Sequence, residues 1–259
     1  MHVETLRRYP VKSMLGEEVV RSEVAERGLA GDRARAVLDV TTGKIASVKN
    51  PRLWRGLLTI EGARVPGDEE LSRRLGREVR VIDVPPADAE FERSVPEQVL
   101  AEGIEAEVSH TVGTLGGASP GGTFFDFAPI HLISTSAVAR IGALSPRGHV
   151  EAVRYRPNLV IATDAEGFPE NAWTGRELHV GDEVVLKVIV TTPRCAVPTL
   201  AHGPLERDTE ALRTVARHNR VPVFDMGPQP CAGVYAQVLR PGQVRKGDRV
   251  RLGRVTSST

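Results

Sequence analysis

Short β-branched and apolar runs, broken by glycine and proline, dominate the chain: Arg35 to Val40, Leu57 to Ile60, Glu78 to Val84, Leu159 to Ala162, Val184 to Val190 and Val234 to Leu239. Runs this short between turn formers predict strands, and their spacing suits a barrel-like β architecture better than alternating βαβ units. Helical periodicity is confined to a few places. Ser136 to Leu144 has Val138, Ile141 and Leu144 at i, i+3 spacing, with Ser134 to Ser136 as candidate N-caps. Asp208 to His218 places Leu212, Val215 and Ala216 on one face behind Asp208 as cap, and Glu69 to Leu75 predicts a shorter helix. Gln243 to Arg251 predicts a turn at Gly247-Asp248 leading into a last strand, and the Ser-rich end Thr256 to Thr259 is expected to fray.

Two stretches predict joints: the acidic, proline-containing Pro85 to Glu107 and the glycine-rich Gly113 to Gly122. They divide the chain into an N-terminal β-barrel-like unit, residues 1–90, and a larger unit, residues 91–259. The fold class expected is α+β and predominantly β, with a few short helices.

With 259 residues, core size is not limiting. Lys plus Arg number 34 against 33 Asp plus Glu, so the broad basic field of a nucleic-acid binder is missing while a local basic pocket remains open. The polar start after Met1 and the lack of an 18-residue apolar run predict a soluble, cytoplasmic protein without a membrane partner. Two cysteines, Cys195 and Cys231, exclude a four-cysteine zinc or iron-sulfur site built by this sequence alone. Free thiols are expected of both.

Candidate chemistry centres on Cys195, which follows an apolar strand and sits in Thr191-Thr192-Pro193-Arg194-Cys195-Ala196-Val197-Pro198. A positive neighbour favours a thiolate, which acts as a nucleophile given a base or as a ligand for a soft metal. A buried structural cysteine is the competing account, and packing is the reading for Cys231. Lys12 and Ser13 in Tyr-Pro-Val-Lys-Ser, together with Arg33 in Gly31-Asp32-Arg33, form either an anion pocket or a solvated edge. Pro157 predicts an extended Arg156, so that Arg156 and Asn158 leave one face of the following strand as a phosphate grip or a surface ion-pair cluster. Ser134, Thr135 and Ser136 offer hydroxyls and free amides at a helix start, for an anion or for simple capping. No phosphate-loop ending, dinucleotide fingerprint or zinc-binding histidine spacing is present.

In order along the chain, Tyr9 to Ser13, Gly31-Asp32-Arg33, Ser47 to Leu53, Leu132 to Ser136, Arg156-Pro157-Asn158-Leu159-Val160, Arg194-Cys195 and Gly247-Asp248-Arg249-Val250 resemble a MOSC domain preceded by the MOSC N-terminal β-barrel domain. That family includes the amidoxime-reducing component and the C-terminal domain of molybdenum cofactor sulfurase. The resemblance implies a MOSC β-barrel in the second unit and a site shared by both units. It implies the molybdenum cofactor (Mo-molybdopterin), with Cys195 as metal ligand and catalytic residue. Arg194 matches the basic neighbour, and Lys12, Ser13, Arg33, Ser134, Thr135, Ser136, Arg156 and Asn158 match cofactor or phosphate contacts.

The activity implied is reduction of N-hydroxylated or related N–O and S–O small molecules. No flavin fingerprint or iron-sulfur cysteines accompany it, so the implied partner is a separate electron donor such as a ferredoxin, a flavin or a haem reductase. The alternatives are a sulfur or cofactor carrier using Cys195 and a non-catalytic phosphate-ligand module. Lys49 stands where reductase-type relatives usually carry arginine, and the segment after Cys195 departs from the Thr-Thr and Asp-Pro of many relatives. That segment is expected to form a wall of the substrate cavity.

Overall fold

A computed structural model describes residues 1–255; the expectation for Thr256 to Thr259 lies outside the described residues. The long strand Pro228–Arg240 is the spine of the larger sheet. It pairs antiparallel with Val184–Pro193 on one side and with Ile130–Ser134 on the other. Beyond the first neighbour lie Arg176–Val180 and Val250–Val255. Beyond the second, Leu159–Ala162 runs parallel to Ile130–Ser134, and His2–Arg8 adds antiparallel to it. A bridge between His2 and Arg249 returns the N-terminal strand to the far edge of the sheet, so the sheet curls into a barrel.

Alternation explains the barrel interior. Val3 and Leu6, Leu132, Leu159 and Ile161, Leu178 and Val180, and Leu186 and Val188 all turn inward into one core with Trp173. Burying each such side chain contributes roughly 1.5–3 kcal/mol. The N-terminal strand therefore belongs to the C-terminal barrel, and Gly242–Arg245 pairs in return with Arg21–Ala25. A second core gathers Val11, Met14, Val37, Val48, Trp54, Leu57, Leu58, Leu71 and Val79, and it takes in Val197 and Leu200 from the loop after Cys195. The two units thus exchange segments across their seam.

Five predicted strands form at the expected runs, at Ala36–Asp39, Val79–Ile82, Leu159–Ala162, Val184–Pro193 and Pro228–Arg240, the last two running beyond the expected bounds. Helices occupy Asp68–Leu75, Thr135–Leu144 and Glu210–His218, and Asp208 Oδ1 accepts from the Glu210 amide at the start of the last. Leu57 to Ile60 is not a strand. Pro51 opens the helix Pro51–Trp54, which tightens into the 3₁₀ turn Arg55–Thr59, and adjacent Leu57 and Leu58 are both fully buried, as a helical turn allows and a one-sided strand does not. Pro85 to Glu107 is not a bare joint either. It carries the strand Glu90–Ser94, paired with His110–Thr114, and the helix Pro96–Glu102. Its acidic residues other than Glu92, which pairs with Lys44 and Asn50, face outward while Phe91 and Val99 anchor it. Among the described residues, no helix is long and apolar enough to cross a membrane.

One glycine is required for the barrel wall to close beside the cavity. Gly233 has φ +78°, and a Cβ there would clash with the Leu132 carbonyl and lie 2.6 Å from His131 Nε2. Because the first obstacle is backbone in a buried sheet, neither neighbour can yield cheaply. Gly233→Ala should destabilise the fold by about 2 kcal/mol or more, measured as a lower urea midpoint; an unchanged midpoint would contradict this account of the wall.

Candidate functional site

Among the described residues, five non-glycine residues have positive φ, and four of them, Ser13 (69°), Arg33 (44°), Arg156 (55°) and Phe224 (45°), line a single cavity of about 320 Å³. Each such conformation costs on the order of 1–3 kcal/mol and persists only where surrounding structure imposes it. Their convergence on one cavity marks it as the place where geometry has been favoured over local backbone preference. The cavity lies at the seam: Lys12, Arg33 and Lys49 come from the N-terminal unit, and Arg154, Arg156, Arg194 and Cys195 from the barrel unit.

The arginine side is built around Tyr9. Its backbone amide donates to Asp32 Oδ1 (2.6 Å), its hydroxyl donates to the Pro157 carbonyl (3.2 Å), and its ring lies 4.4 Å from the Arg33 guanidinium and 4.3 Å from that of Arg156. Arg33 pairs with the buried Asp32 at 2.5 Å. The Arg156 guanidinium makes no ion pair or hydrogen bond among the described residues, and burial lowers it from its ordinary value to about 10. It is a desolvated cation with donors to spare.

On the lysine side, Lys12 and Lys49 both pair with Asp126, Lys49 at 2.9 Å, and both ammonium groups lie over the Phe91 ring. Lys12 also donates to the Phe124 carbonyl. Burial lowers Lys12 to about 8 and lowers Lys49 as well, against the pull of Asp126. Burial would raise the Asp126 carboxyl, but Lys12 and Lys49 together hold it well below the usual carboxylate range.

Cys195 lines the cavity half-buried and packs against the second core. Arg194 beside it has its donors committed: to the Ala232 carbonyl, to the Tyr155 carbonyl (3.0 Å) and to His131 Nε2. An arginine only donates, so His131 accepts as a neutral imidazole, and burial followed by the Arg194 charge pushes it well below its ordinary value. Arg194 therefore clamps the Cys195 loop to the Pro228–Arg240 strand. The remaining wall is apolar: Phe127 contacts both Phe224 and Tyr235 at ring-centroid distances of 5.8 and 5.5 Å, and Phe224 and Met226 stand exposed at 63% and 53%.

Of the residues singled out in the sequence, Lys12, Ser13, Arg33, Arg156, Arg194 and Cys195 meet at this cavity. Ser13 Oγ accepts from the Val48 amide and so shapes the Ser47 to Lys49 rim. Asn158 stands behind the wall, accepting from Arg33 (3.3 Å) and donating to Asp32 (3.0 Å). Arg156 is left-handed rather than extended, because it closes the 3₁₀ turn Ala152–Tyr155 with its amide on the Val153 carbonyl, and it therefore does not share a face with Asn158.

Ser134, Thr135 and Ser136 do not line the cavity. Ser134 is fully buried, caps its helix through the Ala137 amide and bonds the Glu170 carboxyl at 2.5 Å. Ser136 bonds Ser134, and Thr135 accepts from the Thr163 amide. Sequence reasoning assigned no role to Asp126, His131, Phe127 or Tyr235. The single signal for Asp126 was an acid set among aromatics, Phe124-Phe125-Asp126-Phe127, after the glycine-rich stretch. Cys231 is fully buried in an apolar cluster with Val190 and Val223.

Among the described residues, no three His, Cys, Asp or Glu side chains cluster to hold a metal ion. Among the described residues, the cavity holds one thiol, Cys195, and one unpaired guanidinium, Arg156. A thiolate suits soft, redox-active metals, and 320 Å³ falls within the roughly 300–1,000 Å³ of small-molecule sites. A metal carried by an anionic organic cofactor fits this donor set.

Comparisons with known proteins place the chain. The MOSC domain model matches residues 121–251, and the MOSC N-terminal beta barrel domain model matches residues 1–90. Among solved structures, the chain is similar to the YUAD protein from Bacillus subtilis, with 13% identity and a TM-score of 0.48 over 96% of this chain and 93% of that one. It is also similar to YiiM from Geobacillus stearothermophilus, with 15% identity and a TM-score of 0.35 over 49% of this chain and 55% of that one. No curated protein matches it.

Two buried histidines next to the arginines make the fold acid-sensitive. His202 donates Nδ1–H to the Leu200 carbonyl, its buried Nε2 has no partner among the described residues, and burial lowers it to about 4. For His131 and His202 the folded value lies below the unfolded one, so the unfolded chain binds more protons and stability falls as pH drops below about 6.5. Urea unfolding between pH 7 and 4.5 should show this loss, and His202→Asn should flatten it. An equal slope in the variant would refute the assignment.

Proposed function

Because the chain belongs to the MOSC family, with the MOSC N-terminal beta barrel domain ahead of the MOSC domain, we propose that it is a molybdenum-cofactor oxidoreductase. Its substrates in this reading are N-hydroxylated or related N–O and S–O small molecules, and its electrons come from a separate donor protein. MOSC domains are associated with molybdenum-cofactor-binding proteins. The observation that carries the reading to this chain is that one thiol and one unpaired guanidinium, Cys195 and Arg156, face the same cavity.

Cys195 would supply the thiolate ligand. Arg156, backed by Arg33, would anchor the cofactor's phosphate, since a guanidinium fork matches an oxyanion and burial strengthens the attraction. Arg194 would be a positioning residue: its donors already hold Ala232, Tyr155 and His131, so it fixes where the Cys195 sulfur sits. Phe127, Phe224 and Tyr235 would exclude water from the apolar side and receive the organic body of the substrate. When bound, the cofactor supplies the two-electron redox chemistry that accepts an oxygen atom from the substrate.

The test is metal analysis of protein made in a host that synthesises the cofactor, followed by N-hydroxyamidine reduction with an artificial electron donor. Wild-type protein should carry molybdenum and turn over. Cys195→Ser should lose both, and Arg156→Gln should lower cofactor retention by about tenfold or more. A Cys195→Ser protein that keeps molybdenum and activity would overturn the proposal. Sulfur on Cys195 without metal would favour the carrier instead.

A further inference from the structure

The lysine side differs from the arginine side in one respect: its cations are already answered. Asp126 is the one carboxylate among the residues lining the cavity. Its two oxygens divide between Lys12 and Lys49, whose side chains are 4% and 9% exposed, while Asp126 itself is 29% exposed. The carboxylate therefore stands on the solvent side of two buried ammonium groups. Two such cations without a counter-ion would be strongly destabilising, so the fold needs an anion at this position.

Asp126 is also not part of a strand. It sits in the segment between His110–Thr114 and Ile130–Ser134, flanked by Phe125 and Phe127, whose carbonyls accept from the Gly116 and Ala118 amides. These two hydrogen bonds hold its backbone across the glycine-rich stretch while buried Phe124 and Phe125 and half-buried Phe127 anchor the segment, so exchange of the carboxylate is a rotation of the Asp126 side chain and not a movement of the segment. Arg33 and Arg156 feel the same carboxylate electrostatically. An anion that bridges both lysines from the solvent side meets Asp126 there and takes its place.

We propose that Asp126 is a resident counter-ion that a ligand's dianionic phosphate displaces, and that this exchange makes the cavity select phosphate over carboxylates and other monoanions. A monoanion replacing Asp126 exchanges one charge for one and forfeits the tethered, pre-placed carboxylate. A dianion brings a second charge, which Arg33 and the unpaired Arg156 can receive. The inference rests on reading the cavity as a phosphate anchor and adds the residue that sets its charge selectivity.

The experiment is calorimetric titration of the full chain at about pH 7.5, where a phosphate monoester is largely dianionic, with inorganic phosphate and with acetate at matched ionic strength. Wild-type protein should bind phosphate in preference to acetate. Asp126→Asn should bind phosphate at least about tenfold more tightly and should now bind acetate, so that discrimination shrinks. Equal or weaker phosphate affinity in the variant, or no phosphate binding by either form, overturns the proposal.

Carboxyl carbon NMR on wild-type protein gives a second readout that does not need the variant to fold. Saturating phosphate should shift the Asp126 carboxyl resonance as it leaves Lys12 and Lys49, and an unchanged resonance overturns the idea. The two readings fail separately. Phosphate binding that needs Arg156 and ignores Asp126→Asn removes the counter-ion alone, whereas a chain that never holds molybdenum but shows the Asp126 effect removes the oxidoreductase alone.

Discussion

The carboxamide of Asn158, 1% exposed, donates to the Arg7 carbonyl and Asp32 Oδ2 and accepts from the His131 amide and from Arg33. Three chain segments far apart in sequence therefore share one side chain: the N-terminal strand, the Gly31-Asp32-Arg33 turn and the start of the Ile130–Ser134 strand. A buried amide with every group satisfied is rigid, because moving any one segment leaves a polar atom unpaired at a cost of about 1–3 kcal/mol. The relative placement of Tyr9, Arg33 and Arg156 follows from it. So does the seam on which the cavity opens.

With that frame held, the cavity becomes a problem of charge. Cations from two cores converge where water is scarce, and each is stabilised differently. Arg33 has Asp32, Arg194 has carbonyls and a neutral imidazole, and the two lysines have Asp126. Among the described residues, the Arg156 guanidinium has only the face of Tyr9. An aromatic face offsets part of a guanidinium's desolvation but uses none of its donors. That difference separates a cation that holds the structure together from one that is available to a ligand.

The barrel was legible because period-two burial and Gly/Pro punctuation are local signals, and Leu159–Ala162 formed where its pattern placed it. Leu57 and Leu58 were misleading because a short apolar run reads alike as a strand or a turn of helix. The hairpin of Glu90–Ser94 with His110–Thr114 was hidden by acidic residues that solvate its outer face or, as Glu92 does, pair with Lys44 and Asn50. At the site, residue type was informative and geometry was not. Ser134 to Ser136 carry hydroxyls and amides at a helix start, a pattern shared by capping and anion binding, and the partner that engages Ser134, Glu170, lies 36 residues on. The pairing of Lys12 with Asp126 spans 114 residues, beyond any spacing rule.

The division of the site between two cores has an energetic consequence. Lys12, Arg33 and Lys49 come from the N-terminal unit and Arg156, Arg194 and Cys195 from the barrel unit, yet Cys195 packs against the core of the N-terminal unit and Val197 and Leu200 are buried within it. The segment that carries the thiol is thus itself one of the ties across the seam. Any ligand that engages the thiol and the cations together spans the same seam, and binds only when both cores are folded and docked. Its binding free energy is then added to the stability of the docked state in proportion to the logarithm of its concentration over its dissociation constant. A cavity made of like charges, strained backbone and an exposed aromatic lip opposes docking on its own. It is held together by the Asn158 amide, the Arg194 clamp and the carboxylates, and a polyanionic ligand reinforces those ties at the point where repulsion is greatest.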